Sequence, residues 1–138
     1  MHRERAAAGQ QLSVVADQVG CPTATVGPAG LAAACQRTIE LSQDGAVLPP
    51  VLHWSDAGVA SWYDFAVAIG EEGVAAGLLP AAAAVRPIAT ADYPTPARRP
   101  SYSLLSTATT QAALQMQPLH WRQALRQVLA AVARDRPR

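Results

Sequence analysis

The chain has 138 residues, of which 50% are hydrophobic and 15% are charged, and this balance predicts one globular domain with a packed core. A formal net charge of +1 gives no electrostatic support for a nucleic-acid partner. No apolar run approaches the roughly eighteen residues that a membrane span needs, and the polar first residues do not form the apolar core of a signal peptide. We therefore expect a cytoplasmic protein with no membrane partner.

All 11 basic residues are arginine, so the chain contains no lysine. This excludes a P-loop lysine, a Schiff-base lysine and the Tyr-x-x-x-Lys pair of dehydrogenases from the chain. The 3 histidines are far apart and predict no metal site. Cys21 and Cys35 have no metal-binding spacing, and we expect both to be small buried hydrophobic residues.

The first half of the chain predicts two strands and a helix. Residues 12–16 form a short apolar run typical of a strand, and residues 51–54 form a second one. A helix is expected to start at Pro28 and to end before the turn Asp44-Gly45. The apolar face of that helix is predicted at Leu31, Ala34, Cys35, Thr38 and Ile39.

A second helix is predicted to begin at Ser61, with Asp64 completing a capping box. Its predicted core-facing residues are Trp62, Phe65, Ala66 and Ile69. Glu71 and Glu72 are interpreted as a solvated pair. The glycines of residues 70–77 do not fit a dinucleotide-binding loop, because they follow a helix and include two carboxylates that would repel a pyrophosphate.

The remaining elements are one strand, one extended segment and two helices. Residues 85–90 are predicted to form an edge strand, because Pro87 lacks an N–H donor, and residues 101–105 are predicted to be extended. A small helix is expected from about Thr110, and Pro118 precedes an amphipathic helix. The predicted inward face of that last helix is Trp121, Leu125, Val128, Leu129 and Val132. The fold class is therefore α/β with some α+β character, with three or four short strands and three or four helices.

Residues 93–100, Tyr-Pro-Thr-Pro-Ala-Arg-Arg-Pro, form the most informative segment of the chain. Its three prolines exclude a helix and hold Arg98 and Arg99 on a stiff, extended backbone. Guanidinium groups suit bidentate contact with phosphate, and a stiff backbone lowers the entropy cost of that contact. The segment indicates a site for a phosphorylated ligand, an internal carboxylate partner, or a solvated surface loop.

A second polar loop, residues 17–23, follows the first predicted strand. Open α/β sheets bind their ligands at the carboxyl ends of strands. Asp17 and Gln18 suit the hydroxyls of a sugar or ribose, and arginine suits phosphate. A ligand with a diphosphate and several hydroxyls therefore fits both segments.

Four segments of the chain resemble, in the same order, the motifs of dTDP-4-dehydrorhamnose reductases. Residues 12–23 resemble SVVxDQxGxPT, and residues 61–66 resemble SWYxFA. Residues 87–103 resemble PIxTxxYPTPARRPxYS, and residues 120–125 resemble HWRxAL. The chain is thus similar to the C-terminal, substrate-binding half of this family of extended short-chain dehydrogenases. Residues 24–30 depart from the pattern, because they lack the aromatic residue that often follows PT.

The resemblance implies that residues 1–138 form a single partial domain. The N-terminal Rossmann half, with its NADPH-binding GxxGxxG and its catalytic Tyr and Lys, would be absent, and residues 1–10 would end the helix before the SVVxDQ strand. The complete enzyme would use NADPH, with Mg²⁺ as an option, to make dTDP-L-rhamnose by reducing the C4 ketone of its dTDP-sugar substrate. This chain would bind no cofactor, would be inactive alone, and would have a separate Rossmann half as its partner. The alternatives are a non-catalytic nucleotide-sugar-binding or regulatory module, or a non-functional truncated gene product.

The resemblance also implies which residues bind the substrate. Arg98 and Arg99 would hold the diphosphate of a dTDP-sugar, and Arg99 ranks first because it directly precedes the proline of the motif. Gln18 and Asp17 would lie near the nucleotide or the sugar. Trp62 is interpreted as a packing residue, and no catalytic or metal-binding residue is expected on this chain.

Overall fold

The structure, a computed structural model, describes residues 11–135; the helical end expected over residues 1–10 lies outside that range. Four strands and four α-helices occur within the described residues. The strands are β1 (Leu12–Val15), β2 (Val19–Gly20), β3 (Ala60–Ser61) and β4 (Val85–Ile88). The helices are α1 (Leu31–Gln43), α2 (Trp62–Ala75), α3 (Ala108–Leu114) and α4 (Trp121–Arg134), and a 3₁₀ turn covers Thr90–Asp92. The predicted α/β class is confirmed.

The strands form two small pairs. β1 runs parallel to β4, in a register that places Leu12 opposite Val85 and Val14 opposite Pro87. Pro87 is tolerated because β4 is at the edge of a two-stranded sheet, where a missing N–H donor breaks no second ladder. β2 runs antiparallel to β3.

Helix α2 begins as the sequence predicts. The Ser61 side chain accepts a hydrogen bond from the Asp64 backbone N–H at 3.1 Å. The Asp64 carboxylate accepts in return from the Ser61 N–H at 2.8 Å and from the Ser61 hydroxyl at 2.7 Å. This capping box satisfies the free donors of the first turn and fixes the direction of the helix.

The core consists of two clusters, in which buried alanines lie beside a few large side chains. In the first cluster α2 packs on α4, and Phe65 meets the edge of Trp121 with ring centroids 6.1 Å apart. In the second, α1 packs mainly on α3 around Ala34, Trp54 and Leu114. Helix α2 also packs against β1, β3 and β4 and so connects the first cluster to the strands.

The predicted strand over residues 51–54 is wrong. These residues are irregular, although Trp54 is buried as its apolar surroundings suggested. The Trp54 indole N–H donates to the Ala29 carbonyl at 3.2 Å and so anchors the chain just before α1. In this apolar run Trp54 is buried, but the run pairs with no strand. The pattern of apolar residues does not distinguish a strand from an irregular segment with one buried side chain.

Several side chains predicted to face the core are exposed. On α1 only Ala34 is buried, whereas Leu31, Cys35 and Ile39 are exposed, because the helix packs mainly on the seven-residue α3. Val132 on α4 is exposed as well. Trp62, on α2, is also exposed and is described with the site. The expectation of two buried cysteines is also wrong, since Cys21 is only half-buried. On α1 the packed side runs through Ala34 and Leu41, so helical periodicity did not mark which side the neighbouring helix covers.

Glu72 is not a solvated residue, which corrects the interpretation of the glutamate pair. Glu72 is only 8% exposed. One of its carboxylate oxygens accepts a hydrogen bond from Arg122 Nε at 2.7 Å, and the other accepts one from Arg126 Nε at 2.8 Å. Arg122 also pairs with Glu71. Arg126, and then Arg122, lower the pKa of Glu72 below its ordinary value by hydrogen bonding to its charged form. The cluster ties α2 to α4.

We predict that Glu72→Gln destabilises the chain by about 1 kcal/mol at about pH 7, because its two charge-assisted hydrogen bonds from partly exposed arginines are weakened. The folded-state pKa of Glu72 is lowered, so its contribution is complete above the ordinary value of 4.5 and is lost as the pH falls through the lower folded-state value. Urea unfolding at about pH 7 and about pH 3 measures both effects. The half-exposed Glu71→Gln is the matched control, and an equal loss in both variants would contradict the assignment to Glu72.

Candidate functional site

A cavity of about 360 Å³ opens beside β2 and the start of α2. Three stretches of the chain form its wall. They are residues 18–23, residues 60–62 together with Phe65, and residues 99–100 together with Ser103. The cavity therefore brings together the polar loop, the SWY motif and the Pro/Arg segment, which are far apart in sequence.

The backbone of Val19 joins these stretches. Its N–H donates to the Ser101 carbonyl at 2.9 Å, and its carbonyl accepts from the Ser103 N–H at 2.9 Å. Val19 also pairs with Ser61 in the β2–β3 ladder. Residues 101–105 were predicted to be extended. The structure shows this as an isolated parallel β-bridge between Tyr102 and Val19.

The two arginines of the Pro/Arg segment occupy different positions. Both are exposed, but Arg99 lies in the cavity wall and Arg98 does not. Arg99 is the only charged side chain that lines this cavity in the described part of the chain. No carboxylate of residues 11–135 forms an ion pair with either arginine. Of the interpretations left open by the sequence, an internal carboxylate partner therefore gains no support from the described residues.

Gln18 and Asp17 are adjacent but serve different purposes. Gln18 lies in the cavity wall, and its amide N–H donates to the Thr90 hydroxyl at 3.0 Å. Asp17 lies outside the wall, and its carboxylate accepts from the Thr90 hydroxyl at 2.6 Å and from the Thr90 N–H at 3.0 Å. These bonds, the hydroxyl first, lower the pKa of Asp17. Asp17 therefore ties the end of β1 to the 3₁₀ turn that precedes the Pro/Arg segment.

Trp62 and Cys21 line the cavity although neither was predicted as a site residue. Trp62, interpreted as a packing residue, is 56% exposed in the cavity wall. The signal was its position directly after the N-cap Ser61, because the first helical residue need not lie on the buried face. Cys21 also lines the cavity, but its thiol donates to the Asp56 carbonyl at 2.8 Å, and burial, followed by the Asp56 charge, raises its pKa to about 11. A thiol with that pKa stays protonated and is a poor nucleophile near neutral pH.

The described residues do not fit a dinucleotide or metal site. The glycines of residues 70–77 lie in α2 and its C-terminal turn, where Gly73 packs against Leu79 and the neighbouring carboxylates pair with arginines. Such a segment offers no free N–H cradle to a pyrophosphate. No cluster of three His, Cys, Asp or Glu side chains within residues 11–135 could hold a metal ion, so Mg²⁺ finds no support here. Over the same residues, no helix is long and apolar enough to cross a membrane.

The family model described as the RmlD substrate binding domain matches residues 1–134. The chain belongs to this family. The resemblance found in the sequence motifs is thereby confirmed.

Curated relatives match the chain over most of its length but only part of theirs. A dTDP-4-dehydrorhamnose reductase of Mycolicibacterium smegmatis is 43% identical over 132 residues, which are 94% of this chain and 36% of that protein. A dTDP-4-dehydrorhamnose reductase of Aggregatibacter actinomycetemcomitans is 39% identical over 119 residues, 86% of this chain and 40% of that protein. The spore coat polysaccharide biosynthesis protein SpsK of Bacillus subtilis is 38% identical over 120 residues, 87% of this chain and 37% of that protein. The chain thus spans about two fifths of these relatives.

Solved structures match in the same way. The crystal structure of a dTDP-4-dehydrorhamnose reductase from Clostridium acetobutylicum has a TM-score of 0.70 and 27% identity, and the match covers 96% of this chain and 43% of that one. The Bacillus anthracis reductase, solved in complex with NADP, has a TM-score of 0.65 and 25% identity, and the match covers 90% of this chain and 40% of that one.

We predict that Asp17→Ala frees the Thr90 amide, because that N–H donates to the Asp17 carboxylate. Hydrogen exchange at Thr90 should accelerate by about tenfold or more. The exposed Asp44→Ala, at the end of α1, is the control for removing a charge. Equal exchange at Thr90 in wild type and Asp17→Ala would show that this contact does not hold the turn.

Proposed function

We propose that this chain is the substrate-binding portion of an NADPH-dependent dTDP-4-dehydrorhamnose reductase, and that Arg99 binds the diphosphate of the dTDP-sugar. The observation that carries the proposal is the position of Arg99. It is an exposed arginine in the wall of a cavity of about 360 Å³, and it has no ion-pair partner among the described residues. Membership of the RmlD substrate-binding family supports a dTDP-sugar as the ligand.

The chemistry of the wall fits an anionic, hydroxylated ligand. The guanidinium presents several N–H donors to phosphate oxygens, and the prolines on either side of the Arg98-Arg99 pair limit the entropy that binding would cost. Gln18 adds an amide whose oxygen accepts no hydrogen bond from the described residues. Asp17 acts indirectly, by holding the turn before the Pro/Arg segment. Arg98, outside the wall, contributes its charge at longer range.

The redox chemistry belongs, in this proposal, to a part of the reductase that the present chain does not contain. The chain has no lysine, so it cannot supply the Tyr-x-x-x-Lys pair, and its described glycines do not form a dinucleotide loop. NADPH would supply a hydride to the C4 ketone of the sugar when bound to that other part. The residues described here bind and orient the substrate.

Calorimetric titration of the 138-residue chain with dTDP tests the phosphate contact. We expect Arg99→Ala to weaken binding about 10- to 150-fold, because charge-assisted hydrogen bonds to the diphosphate are lost. Arg98→Ala should change the dissociation constant by less than about threefold. Arg86→Ala, an exposed arginine on β4 that does not line the cavity, should leave it unchanged. Wild-type affinity in Arg99→Ala, with circular dichroism confirming a folded protein, would overturn the assignment.

A second prediction concerns activity. The 138-residue chain alone should not oxidise NADPH in the presence of dTDP-4-dehydrorhamnose, because it lacks the lysine-dependent proton donor. Absorbance at the NADPH band measures this directly, with an active full-length reductase of the family as the positive control. NADPH oxidation that depends on the sugar nucleotide would contradict the division between binding and catalysis.

A further inference from the structure

Trp62 is an unusual tryptophan for this chain. It is the first residue of α2 and is 56% exposed, whereas Trp54 and Trp121 are 8% and 7% exposed. Its side chain lines the same cavity as Arg99. An exposed indole on a concave wall is the arrangement in which aromatic residues receive flat or amphipathic ligands.

Local structure explains why Trp62 is left uncovered. The capping box of Ser61 and Asp64 fixes the first turn of α2, so the direction of residue 62 is set independently of any ligand. One turn later, Phe65 packs against Trp121 and belongs to the core. Trp62 has no ring partner among residues 11–135. The indole is thus held by a rigid helix start but does not serve the core.

We propose that Trp62 is the stacking platform for the pyrimidine base of the nucleoside diphosphate whose phosphates bind Arg99. This inference rests on the proposed function and adds to it the residue that recognises the base. An aromatic side chain provides a flat apolar surface for a base, and every base has a matching face. The Gln18 amide, in the same wall, suits the carbonyl and N–H groups along the edge of a pyrimidine.

The charges around the cavity favour an orientation with the base beside Trp62 and the phosphates beside Arg99 over the reverse orientation. The N-terminal end of a helix attracts phosphate. At the N-terminal end of α2, next to Trp62, the Asp64 carboxylate accepts hydrogen bonds from Ser61 and places a negative charge there, which opposes phosphate binding. Arg99 is the only charged side chain that the described residues place in the wall. A neutral ring therefore fits beside Trp62, and the anion fits beside Arg99.

The size of the cavity agrees with partial enclosure of a nucleotide sugar. Ligand pockets usually measure about 300 to 1,000 Å³, so a cavity of about 360 Å³ is at the small end. A pocket at that end holds the base and the phosphates more readily than a complete sugar nucleotide. The hexose then extends out of the cavity, where another part of a reductase would reach its ketone.

Tryptophan fluorescence provides a direct test, because one of the three indoles is exposed. Acrylamide should quench mainly Trp62 in the 138-residue chain, and Trp62→Phe should remove most of the accessible fraction. Saturating dTDP should protect the accessible indole, and thymidine, which carries no phosphate, should protect it at higher concentration. Inorganic diphosphate should leave the quenching unchanged.

Calorimetry with dTDP and inorganic diphosphate separates this inference from the proposed function. Trp62→Ala should weaken dTDP binding about 5- to 150-fold and should leave diphosphate binding unchanged. Trp62→Phe, which keeps an aromatic ring, should bind dTDP with most of the wild-type affinity. Arg99→Ala should weaken both ligands. If Arg99→Ala bound dTDP and diphosphate as tightly as wild type while thymidine still protected Trp62 from quenching, the diphosphate contact would be overturned and the platform would stand.

Three results would overturn the platform. The first is equal affinity of Trp62→Ala and wild type for dTDP. The second is an equal loss for dTDP and diphosphate in Trp62→Ala, which would indicate a structural role. The third is an accessible indole that neither dTDP nor thymidine protects.

Discussion

The hydrogen bonds of the Val19 backbone are the contacts on which the candidate site depends. Val19 bonds to Ser101 and Ser103 on one side and pairs with Ser61 on the other. β2 therefore connects the residues that directly follow the Pro/Arg segment, on one side, with β3 and the start of α2 on the other. Without this connection, Arg99 and Trp62 would belong to separate surfaces of the molecule. Because backbone groups make these bonds, they do not use the side chains of Arg99 and Trp62, which line the cavity.

Two charged contacts reinforce this arrangement from outside the cavity. Asp17 bonds to Thr90 and holds the turn that leads into the Pro/Arg segment. Glu72 receives hydrogen bonds from Arg122 and Arg126 and holds α2 against α4. Both carboxylates have lowered pKa values for the same reason, which is hydrogen bonding to the charged form. In each case the charge positions an element of the wall, and in neither case does the carboxylate line the cavity.

Local signals in the sequence predicted the elements better than their burial. Three elements were predicted from chemistry that acts within a few residues. They are the capping box of Ser61 and Asp64, the end of α1 before the turn at Asp44, and the edge strand that contains Pro87. The wrong strand at residues 51–54 and the exposed face of α1 depend on which distant segment covers an apolar surface. That information is not contained in local periodicity.

The candidate site shows the same division. Residue chemistry and the family motifs directed attention to Arg99 and Gln18, and both line the cavity. The family motif ranked Arg99 above Arg98, but residue chemistry alone did not separate the two arginines, nor Asp17 from Gln18, because neighbours on an extended segment can point to opposite sides and a sequence does not record which side faces a partner. Trp62 was assigned to the core-facing side of its helix together with Phe65, yet as the first helical residue it lines the cavity.

The chemistry of the cavity wall is consistent with the proposed division between substrate binding and reduction. The described wall has one cation, one exposed indole and one amide, which are enough to recognise a phosphate, a flat ring and its polar edge. None of these groups can transfer a hydride, and the protonated Cys21 thiol is unsuited to attack a carbonyl. Under the proposed function, recognition of the nucleotide end would need only these groups. Reduction needs groups from elsewhere, which agrees with a chain spanning about two fifths of its relatives.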